Sequence, residues 1–444
     1  MDNVIAPESP IQFKVNKWAL SFFLIAILIG TFLRISLLVI YPLVSLFIFL
    51  QLKLRVSKYS IVLLGLIGLS LFLSFFSGWY LKYKLLSLYY MLPFIFLLFG
   101  NPGKYLADGQ NLVSIFFKCL SVIATINNMI GVIQVIRNPT SDDSFIGIYS
   151  TYSISMGGLV ILNMVLFAYY FYLYLATKSK KRLWISLFFL ASCVMGFYGG
   201  GLVAFVIAFI LSFFRLRFSA IIKSVFISLV SIVAIYYALA WLKPSVLRYN
   251  IANIKKVVQF DLQNGPRKVI AFHNYGVAYP SNVKDFLFGS GPGTFNSRSA
   301  FMVGSPSFFT AVSFLKSGNQ PYYFREYAYT LWNDTNTSQA LFQDGFRNQP
   351  FSSLLAFLGE YGFLFTLFFG WFYYRHYRQI THIQVINAPP EYAAYRKLLK
   401  FLFIFLLLLL CMDNFYEYPE IMLLILIIIK LMHVEITKMS RITA

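Results

Sequence analysis

The run "DFLFGSGPGTF" (285–295) has three glycines at alternate positions, which are Gly289, Gly291 and Gly293. Closely spaced glycines let backbone N–H groups converge on an anion, so the run is a candidate phosphate cradle. A dinucleotide fingerprint needs a βαβ unit around its glycines, and a P-loop needs Lys followed by Ser or Thr. Here Thr294-Phe295 follows the glycines, and Pro292 removes one N–H group. The sequence therefore argues against a nucleotide loop and favours a tight turn that returns the chain toward a membrane surface.

Two further features could carry chemistry. Glu360 is a carboxylate within the apolar stretch "PFSSLLAFLGEYGFLF" (350–365), where a charge is costly and marks either a functional position or a structural pair with an arginine. The segment "QPYYFREYAYTLWNDTNTS" surrounds Arg325-Glu326 with aromatic residues, among them Tyr322 and Tyr323. Such rings suit sugars, although aromatic residues are also common at membrane interfaces.

The histidines lack ligand spacing, so we expect no metal.

The composition places these residues in a membrane protein. Hydrophobic residues make up 59% of the 444 residues and charged residues only 12%, too few to cover the surface of a soluble protein of this size. Apolar runs such as "FLFIFLLLLL" recur along the chain, and each crossing needs roughly 20 residues. The polar lead to Lys17 shows no small-residue cleavage pattern, so we expect no removable signal peptide. The sequence predicts an all-α polytopic membrane protein.

About twelve spans are predicted. They are Trp18–Leu33, Ile35–Leu50, Ser60–Leu81, Leu85–Gly100, Leu112–Ile136, Ser150–Ala176, Leu183–Gly199, Leu202–Phe214, Ile221–Leu242, Phe351–Tyr374, Leu398–Met412 and Tyr418–Met432. The chain therefore divides into a first membrane part (1–242, nine helices), one large extracytoplasmic loop (243–349) and a second membrane part (350–444, three helices).

The distribution of charge predicts the orientation. With both termini in the cytoplasm, most lysines and arginines fall on inner loops, and the short outer loops carry only Arg34, Lys82, Lys84 and Arg137. The acidic turn "DNFYEYPE" (413–420) then lies outside, as does the large loop, which has more basic than acidic residues. The net charge of +21 is thus a membrane-topology signal and predicts no nucleic-acid partner. An anionic ligand or anionic lipid headgroups would explain the basic loop.

A family resemblance rests on two stretches. "GPRKVIAFHNYGVAYPSNVKDFLFGSGPGTF" resembles the large-loop signature of bacterial O-antigen polymerases and ligases, in which an arginine, here Arg267, opens a helix and a glycine run, here Phe288–Phe295, closes it. "PFSSLLAFLGEYGFLF" is similar to the family's post-loop helix, which ends in Glu-x-Gly. The resemblance implies a GT-C-like arrangement in the bacterial inner membrane, with one large outer loop after the ninth helix.

The sequence departs from that family at two points. Ligases carry a His-Asn pair at the start of the post-loop helix, where this chain has Phe351-Ser352. An arginine common in the short loop between the seventh and eighth spans is replaced by "FYGGG" (197–201). The first departure favours a polymerase over a ligase. A transporter or flippase of lipid-linked sugars is a third alternative, although it should show internal repeats, which we do not find.

The resemblance also implies the substrates: undecaprenyl-diphosphate-linked oligosaccharides, polymerised without metal or cofactor, with a chain-length regulator protein and membrane lipid as partners. The diphosphate leaving group needs cations, and arginine suits it because of its planar fork of donors. The candidates, in order, are Arg267, Arg347, Arg325, Arg137 and Arg298. Each could instead be a surface arginine paired with solvent or lipid phosphate.

Candidate bases are Glu326, Asp334, His273 and Glu360, and the substrate-binding candidates also include His273, Tyr322, Tyr323 and Gly291.

Overall fold

The computed structural model describes residues 36–102, 112–137, 145–148, 155–196, 198–214, 265–308, 310–333, 349–383 and 389–442, with scattered residues between 222 and 259. Within these ranges the chain is almost entirely helical, and the only paired strands are Leu54–Arg55 (β1) and Asn101–Pro102 (β2). The expectation of an all-α fold is thereby confirmed, apart from this two-residue antiparallel pair.

The helices, in chain order, are α1 Ser36–Gln51, α2 Lys58–Phe75, α3 Leu81–Phe99, α4 Leu112–Arg137, α5 Ser155–Thr177, α6 Lys180–Gly196, α7 Gly199–Phe213, α8 Arg267–Ala278, α9 Val283–Phe288, α10 Arg298–Gly304, α11 Ser353–Ala356, α12 Gly362–Thr381, α13 Pro390–Met412 and α14 Pro419–Ile442. Short 3-10 or π-helical turns are Thr310–Leu315, Phe324–Ala328, Tyr329–Leu331, Phe357–Tyr361 and Phe415–Glu417.

Five stretches within the described ranges are long and apolar enough to cross a membrane: Lys58–Phe75, Leu81–Phe99, Leu112–Arg137, Gly157–Thr177 and Ser353–Thr381. Each overlaps a predicted span, although the span predicted as Ser60–Leu81 ends at Phe75. Two further predicted spans correspond to shorter apolar helices, Tyr41–Gln51 and Gly199–Phe213. The other described helices at predicted spans are not among the five, and the predicted spans Trp18–Leu33 and, for the most part, Ile221–Leu242 lie outside the described residues, so the count of twelve stays a prediction.

Helix α14 lies at the centre of the bundle. Its segment "IMLLILIIIKLM" is buried along its whole length and packs against α1, α3, α4, α5 and α13. The one polar residue of this segment, Lys430, is buried and donates to the carbonyls of Leu98 and Gly100. A helix that is otherwise apolar on every face is stable only when other helices or lipid surround it. The continuous apolar run at the end of the sequence therefore forms the core of the membrane part.

Pairs of loops that were predicted to share one face of the membrane do meet. β1 and β2 join two predicted inner loops, and Arg182 Nη2 lies 3.7 Å from Glu391 Oε1 between two others. On the predicted outer side, Lys82 Nζ donates to the Phe314 carbonyl at 3.2 Å. The relative sidedness of these loops therefore agrees with the charge distribution, while which face is cytoplasmic remains a prediction.

The stretch Ser353–Thr381 is interrupted at Gly362, where φ is +90°. The π-helical turn Phe357–Tyr361 leads into this interruption, so carbonyls there lose their helical partners. Lipid offers no donors, and irregular backbone at membrane depth is stable only when the protein itself supplies them. The predicted uninterrupted crossing Phe351–Tyr374 is therefore two helical pieces with a break between them.

The glycine run fills this break. The N–H of Ser290 donates to the Gly359 carbonyl at 2.8 Å, and the N–H of Gly291 donates to the Glu360 carbonyl at 3.0 Å. The Ser70 hydroxyl of α2 donates to the same Glu360 carbonyl at 2.9 Å. The expected turn at the membrane surface is thus a loop that enters the membrane part and completes the broken helix.

This docking requires glycine on both sides. Gly289 has φ +81°, and a Cβ added there would lie 2.3 Å from the Glu360 carbonyl oxygen. A Cβ on Gly362 would lie 2.4 Å from the Leu287 carbonyl oxygen. The two stretches that carry the family resemblance therefore pack against each other backbone to backbone.

We predict that Gly362→Ala destabilises the protein by about 1–3 kcal/mol or more, because alanine tolerates neither the positive φ nor the contact with Leu287. Gly370→Ala is the matched control in the same helix, since a Cβ there meets nothing within 4 Å. It should be neutral or slightly stabilising, because alanine favours helices over glycine. Thermal unfolding in detergent, followed by intrinsic fluorescence, measures both variants, and equal melting temperatures would contradict the docking.

Candidate functional site at the acidic turn

The Glu360 side chain is fully buried, and the glycine run encloses its carboxylate. Oε2 accepts from the N–H of Gly293 at 2.7 Å and from the Ser87 hydroxyl at 3.3 Å. Oε1 accepts from the N–H of Phe295 at 3.2 Å and from the N–H of Ser297 at 3.0 Å. Ser87 lies six residues into α3, roughly 9 Å along that helix at 1.5 Å per residue. The carboxylate therefore sits well inside the bundle.

The glycine run is therefore an anion cradle whose anion belongs to the protein. With both oxygens occupied, Glu360 has no lone pair positioned to take a substrate proton, and the partners are backbone N–H groups instead of the arginine we considered. Buried carboxylates are tolerated when several donors satisfy them. We infer that Glu360 anchors the described part of the predicted outer loop (265–308 and 310–333), which we call the outer segment. Gly291, considered as a diphosphate ligand, gives its N–H to the Glu360 carbonyl.

A second buried carboxylate holds the next residues of the same segment. Glu417 Oε2 accepts from the N–H of Arg298 at 2.5 Å and from the Asn414 amide at 2.6 Å, and its Oε1 accepts from the Ser299 hydroxyl at 2.7 Å. These N–H groups belong to the first residues of α10, where a helix has no internal acceptors for them. Burial raises the pKa of Glu417 to about 8, Glu360 adds to the shift, and the donors from Arg298 and Ser299 oppose it.

The Arg298 side chain is buried, with 9% of its surface exposed. Its guanidinium carbon lies 3.7 Å from the ring centre of Tyr418 and 4.9 Å from that of Phe351. One terminal nitrogen donates to Gln349 Oε1 at 3.4 Å, and within the described residues Nε has no hydrogen-bond partner. Stacking on rings fixes the plane of the guanidinium, and the buried Nε has donor capacity that no described residue uses.

Charged residues from several elements converge around this arginine. Burial lowers the pKa of Arg298, while Asp413, Glu417 and Glu420 oppose the shift, so the guanidinium stays protonated. Lys268, the residue after Arg267 at the start of α8, donates to the Met412 carbonyl. The acidic turn thus brings cations and carboxylates together.

Tyr198 brings the loop between α6 and α7 to the same place. Burial raises the pKa of its phenol, Asp413 adds to that shift, and Arg298 opposes it. A Cβ on Gly200, in the first turn of α7, would lie 2.5 Å from the Met412 methyl carbon, so this glycine lets α7 approach the end of α13 beside the acidic turn. In this arrangement, the Arg298 and Lys268 side chains can bind an anion, and the Asp413 carboxylate can accept a proton.

The other predicted residues lie elsewhere. His273, Tyr322 and the Arg325–Glu326 pair (2.7 Å) are exposed, and such a solvated pair contributes little. Tyr323 is partly buried, its hydroxyl donates to Asp285 and its ring stacks on Tyr279. These contacts use the ring for internal packing and do not leave it open to a sugar. Arg137 is exposed at the end of α4. Arg347 and Asp334 lie outside the described residues.

Sequence reasoning gave no chemical role to Asp413, Glu417, Tyr198 or Lys268. A signal was present for the carboxylates, because the chain has only 16 acidic residues and three of them fall within "DNFYEYPE". No comparable signal marks Tyr198 or Lys268, because each lies far along the chain from the turn it joins.

Comparisons with protein-family models, with curated proteins and with solved structures give no match to this chain.

We predict that Glu360→Gln destabilises the docked outer segment by about 1–3 kcal/mol, the usual cost of leaving a buried donor unsatisfied. Whichever way the amide turns, its NH2 group faces at least one backbone N–H. Glu326→Gln is the control, because that carboxylate is exposed. Limited proteolysis of the folded protein should cut the outer segment faster in Glu360→Gln than in the control, and indistinguishable rates would contradict the anchor.

The raised pKa of Glu417 predicts a pH dependence. The unfolded chain loses this proton near pH 4.5 and the folded chain near pH 8, so the contribution is complete below that window and is lost as pH rises through it. As pH rises through this window, the melting temperature of the wild type in detergent should therefore fall more than that of Glu417→Gln. Parallel curves would show that Glu417 does not titrate there.

Proposed function

We propose that this protein is an integral membrane glycosyltransferase of the bacterial inner membrane, which polymerises undecaprenyl-diphosphate-linked oligosaccharide repeats into a surface polysaccharide. The observation that carries the proposal is the buried Arg298, whose guanidinium stacks on Tyr418 of the acidic turn at 3.7 Å, while Lys268 reaches the Met412 carbonyl just before that turn. The helical membrane architecture and the direct packing of both family-like stretches support it. A GT-C-like arrangement and twelve spans belong to the same proposal.

The proposed reaction needs a cation and a base. The acceptor hydroxyl oxygen forms a bond to the anomeric carbon of the donor, and the bond from that carbon to the diphosphate oxygen breaks. The lipid diphosphate leaves with the electron pair, and a carboxylate takes the hydroxyl proton. A guanidinium directed at the departing oxygens stabilises the charge that develops there, typically by two to three orders of magnitude in rate.

Roles follow from position. Arg298 and Arg267 are our proposed diphosphate ligands, the first because of its buried, ring-stacked guanidinium and the second because its neighbour Lys268 reaches Met412. Asp413 is our proposed base, since it lies in the acidic turn between Met412, which Lys268 contacts, and Tyr418, on which Arg298 stacks. Its Oδ1 accepts from the N–H of Asn414 at 2.6 Å. Arg347 stays a proposed phosphate ligand from sequence. Glu360 and Glu417 act as positioning residues that hold the segment bearing Arg298.

The filled helix break favours an enzyme over a transporter. Discontinuous helices in transporters present their free carbonyls and N–H groups to the cargo. Here the carbonyls of Gly359 and Glu360 are taken by Ser290 and Gly291 of the same chain. We therefore place the chemistry at the outer turn and not in the break.

The test uses purified full-length protein, a synthetic lipid-diphosphate repeat and no added metal, with product length read from a gel. Wild type should give a ladder, and Arg298→Ala and Asp413→Asn should each reduce its rate by about two orders of magnitude or more. Arg325→Ala is the matched control, because that arginine is exposed and paired with its neighbour.

The outcomes test the class of protein and the proposed active-site residues separately. A ladder in every lane would overturn the roles of Arg298 and Asp413 while leaving a polymerase. Transfer only to a non-repeat acceptor would indicate a ligase. Translocation of the repeat across vesicles without bond formation would indicate a flippase.

A further inference from the structure

Large apolar side chains are exposed where the loop between α2 and α3 meets the outer segment. Phe76 and Trp79 of that loop are each 77% exposed. Val283, at the start of α9, is 68% exposed, and Phe314, in the turn Thr310–Leu315, is 74% exposed. An exposed cluster of this kind marks an interaction surface, because a protein surface in water seldom groups such residues.

Lysine contacts hold these residues together. Lys284 Nζ donates to Ser77 Oγ at 3.0 Å, which ties α9 to the loop. Lys82 Nζ donates to the carbonyl of Phe314 at 3.2 Å and to that of Lys316 at 3.1 Å. We call this surface the outer corner and define it by Phe76, Trp79, Lys82, Val283, Lys284 and Phe314.

The corner is basic as well as apolar. The acid beside it is Asp285, whose Oδ1 lies 3.4 Å from Lys284 Nζ and whose side chain is buried. Lys82 contacts uncharged carbonyl oxygens, so its charge is available to a nearby anion. Apolar residues beside ammonium groups complement the boundary between acyl chains and phosphates, where aromatic rings and lysines accumulate.

The surface also continues from the membrane helices. Phe72 near the end of α2 is 60% exposed, and Leu81 and Leu85 at the start of α3 are 52% and 57% exposed. These residues face outward from stretches long and apolar enough to cross a membrane. The corner therefore prolongs the lipid-facing surface into the outer segment.

We propose that the outer corner docks on the outer surface of the lipid bilayer, with Trp79 and Phe314 among the acyl chains and Lys82 and Lys284 at the phospholipid phosphates. The outer segment then lies against the membrane at residues far along the chain from any predicted span. This surface is independent of the proposed transferase activity and needs no sugar substrate.

The test uses full-length protein reconstituted into vesicles of phosphatidylglycerol and phosphatidylethanolamine, with lipids brominated near the headgroup or near the chain end. The chain has six tryptophans, so Trp79 is read as the difference between wild type and Trp79→Phe. Position 314 is read as the extra emission of Phe314→Trp. His273→Trp serves as a control, since His273 is exposed in the outer segment but is not part of the corner.

Shallow bromines should quench the emission at positions 79 and 314, and iodide in the buffer should not. Loss of that quenching at position 314 in Lys82→Glu/Lys284→Glu would assign the docking to the lysines. Iodide quenching at 314 with no effect of brominated lipid would overturn the proposal and indicate a corner open to water. Resistance at 314 to both quenchers would also overturn it and indicate a covering protein surface.

Discussion

The docking of the glycine run into the helix break at Gly362 is the interaction on which the segment bearing Arg298 depends. Breaking a helix in a membrane leaves carbonyls that lipid cannot satisfy, and burying a carboxylate beside them adds a second cost. One loop offsets both, because Ser290 and Gly291 donate to the carbonyls while Gly293, Phe295 and Ser297 donate to the Glu360 carboxylate. Neither the loop nor the break is satisfied without the other.

The same constraint positions the candidate site. Glu360 holds the chain as far as Ser297, and Glu417 takes the next two N–H groups, from Arg298 and Ser299. Two carboxylates from different parts of the membrane bundle therefore fix the residues on either side of the Arg298 side chain. The guanidinium then stacks on Tyr418, which lies next to Glu417. A short polar segment thus transmits the geometry of the helices to Arg298, the buried arginine that the described residues place at the acidic turn.

Much of the fold was predictable because lipid imposes strict rules on sequence. Helix α4 begins at Leu112 as predicted, and the central helix α14 follows the last apolar run. The break at Gly362 was not predictable, because hydropathy averages across it and Glu-Tyr-Gly reads as part of a helix. The role of Glu360 was half predicted: its burial was expected from its apolar neighbours, but its partners are backbone groups, which have no signature in sequence.

By itself the sequence determined that the chain is helical and lies largely in lipid, and which loops share a side of the membrane. It also determined that the glycines and Glu360 matter, since each of these results depends on composition or on residues close in the chain. Tertiary structure alone decided which residues meet. Glu360 and Gly293 are far apart in sequence, as are Arg298, Asp413 and Tyr198, and only helix packing brings them together. It also decided that the cradle holds an internal carboxylate instead of a phosphate, because the identity of its anion depends on what the fold places within reach of its N–H groups.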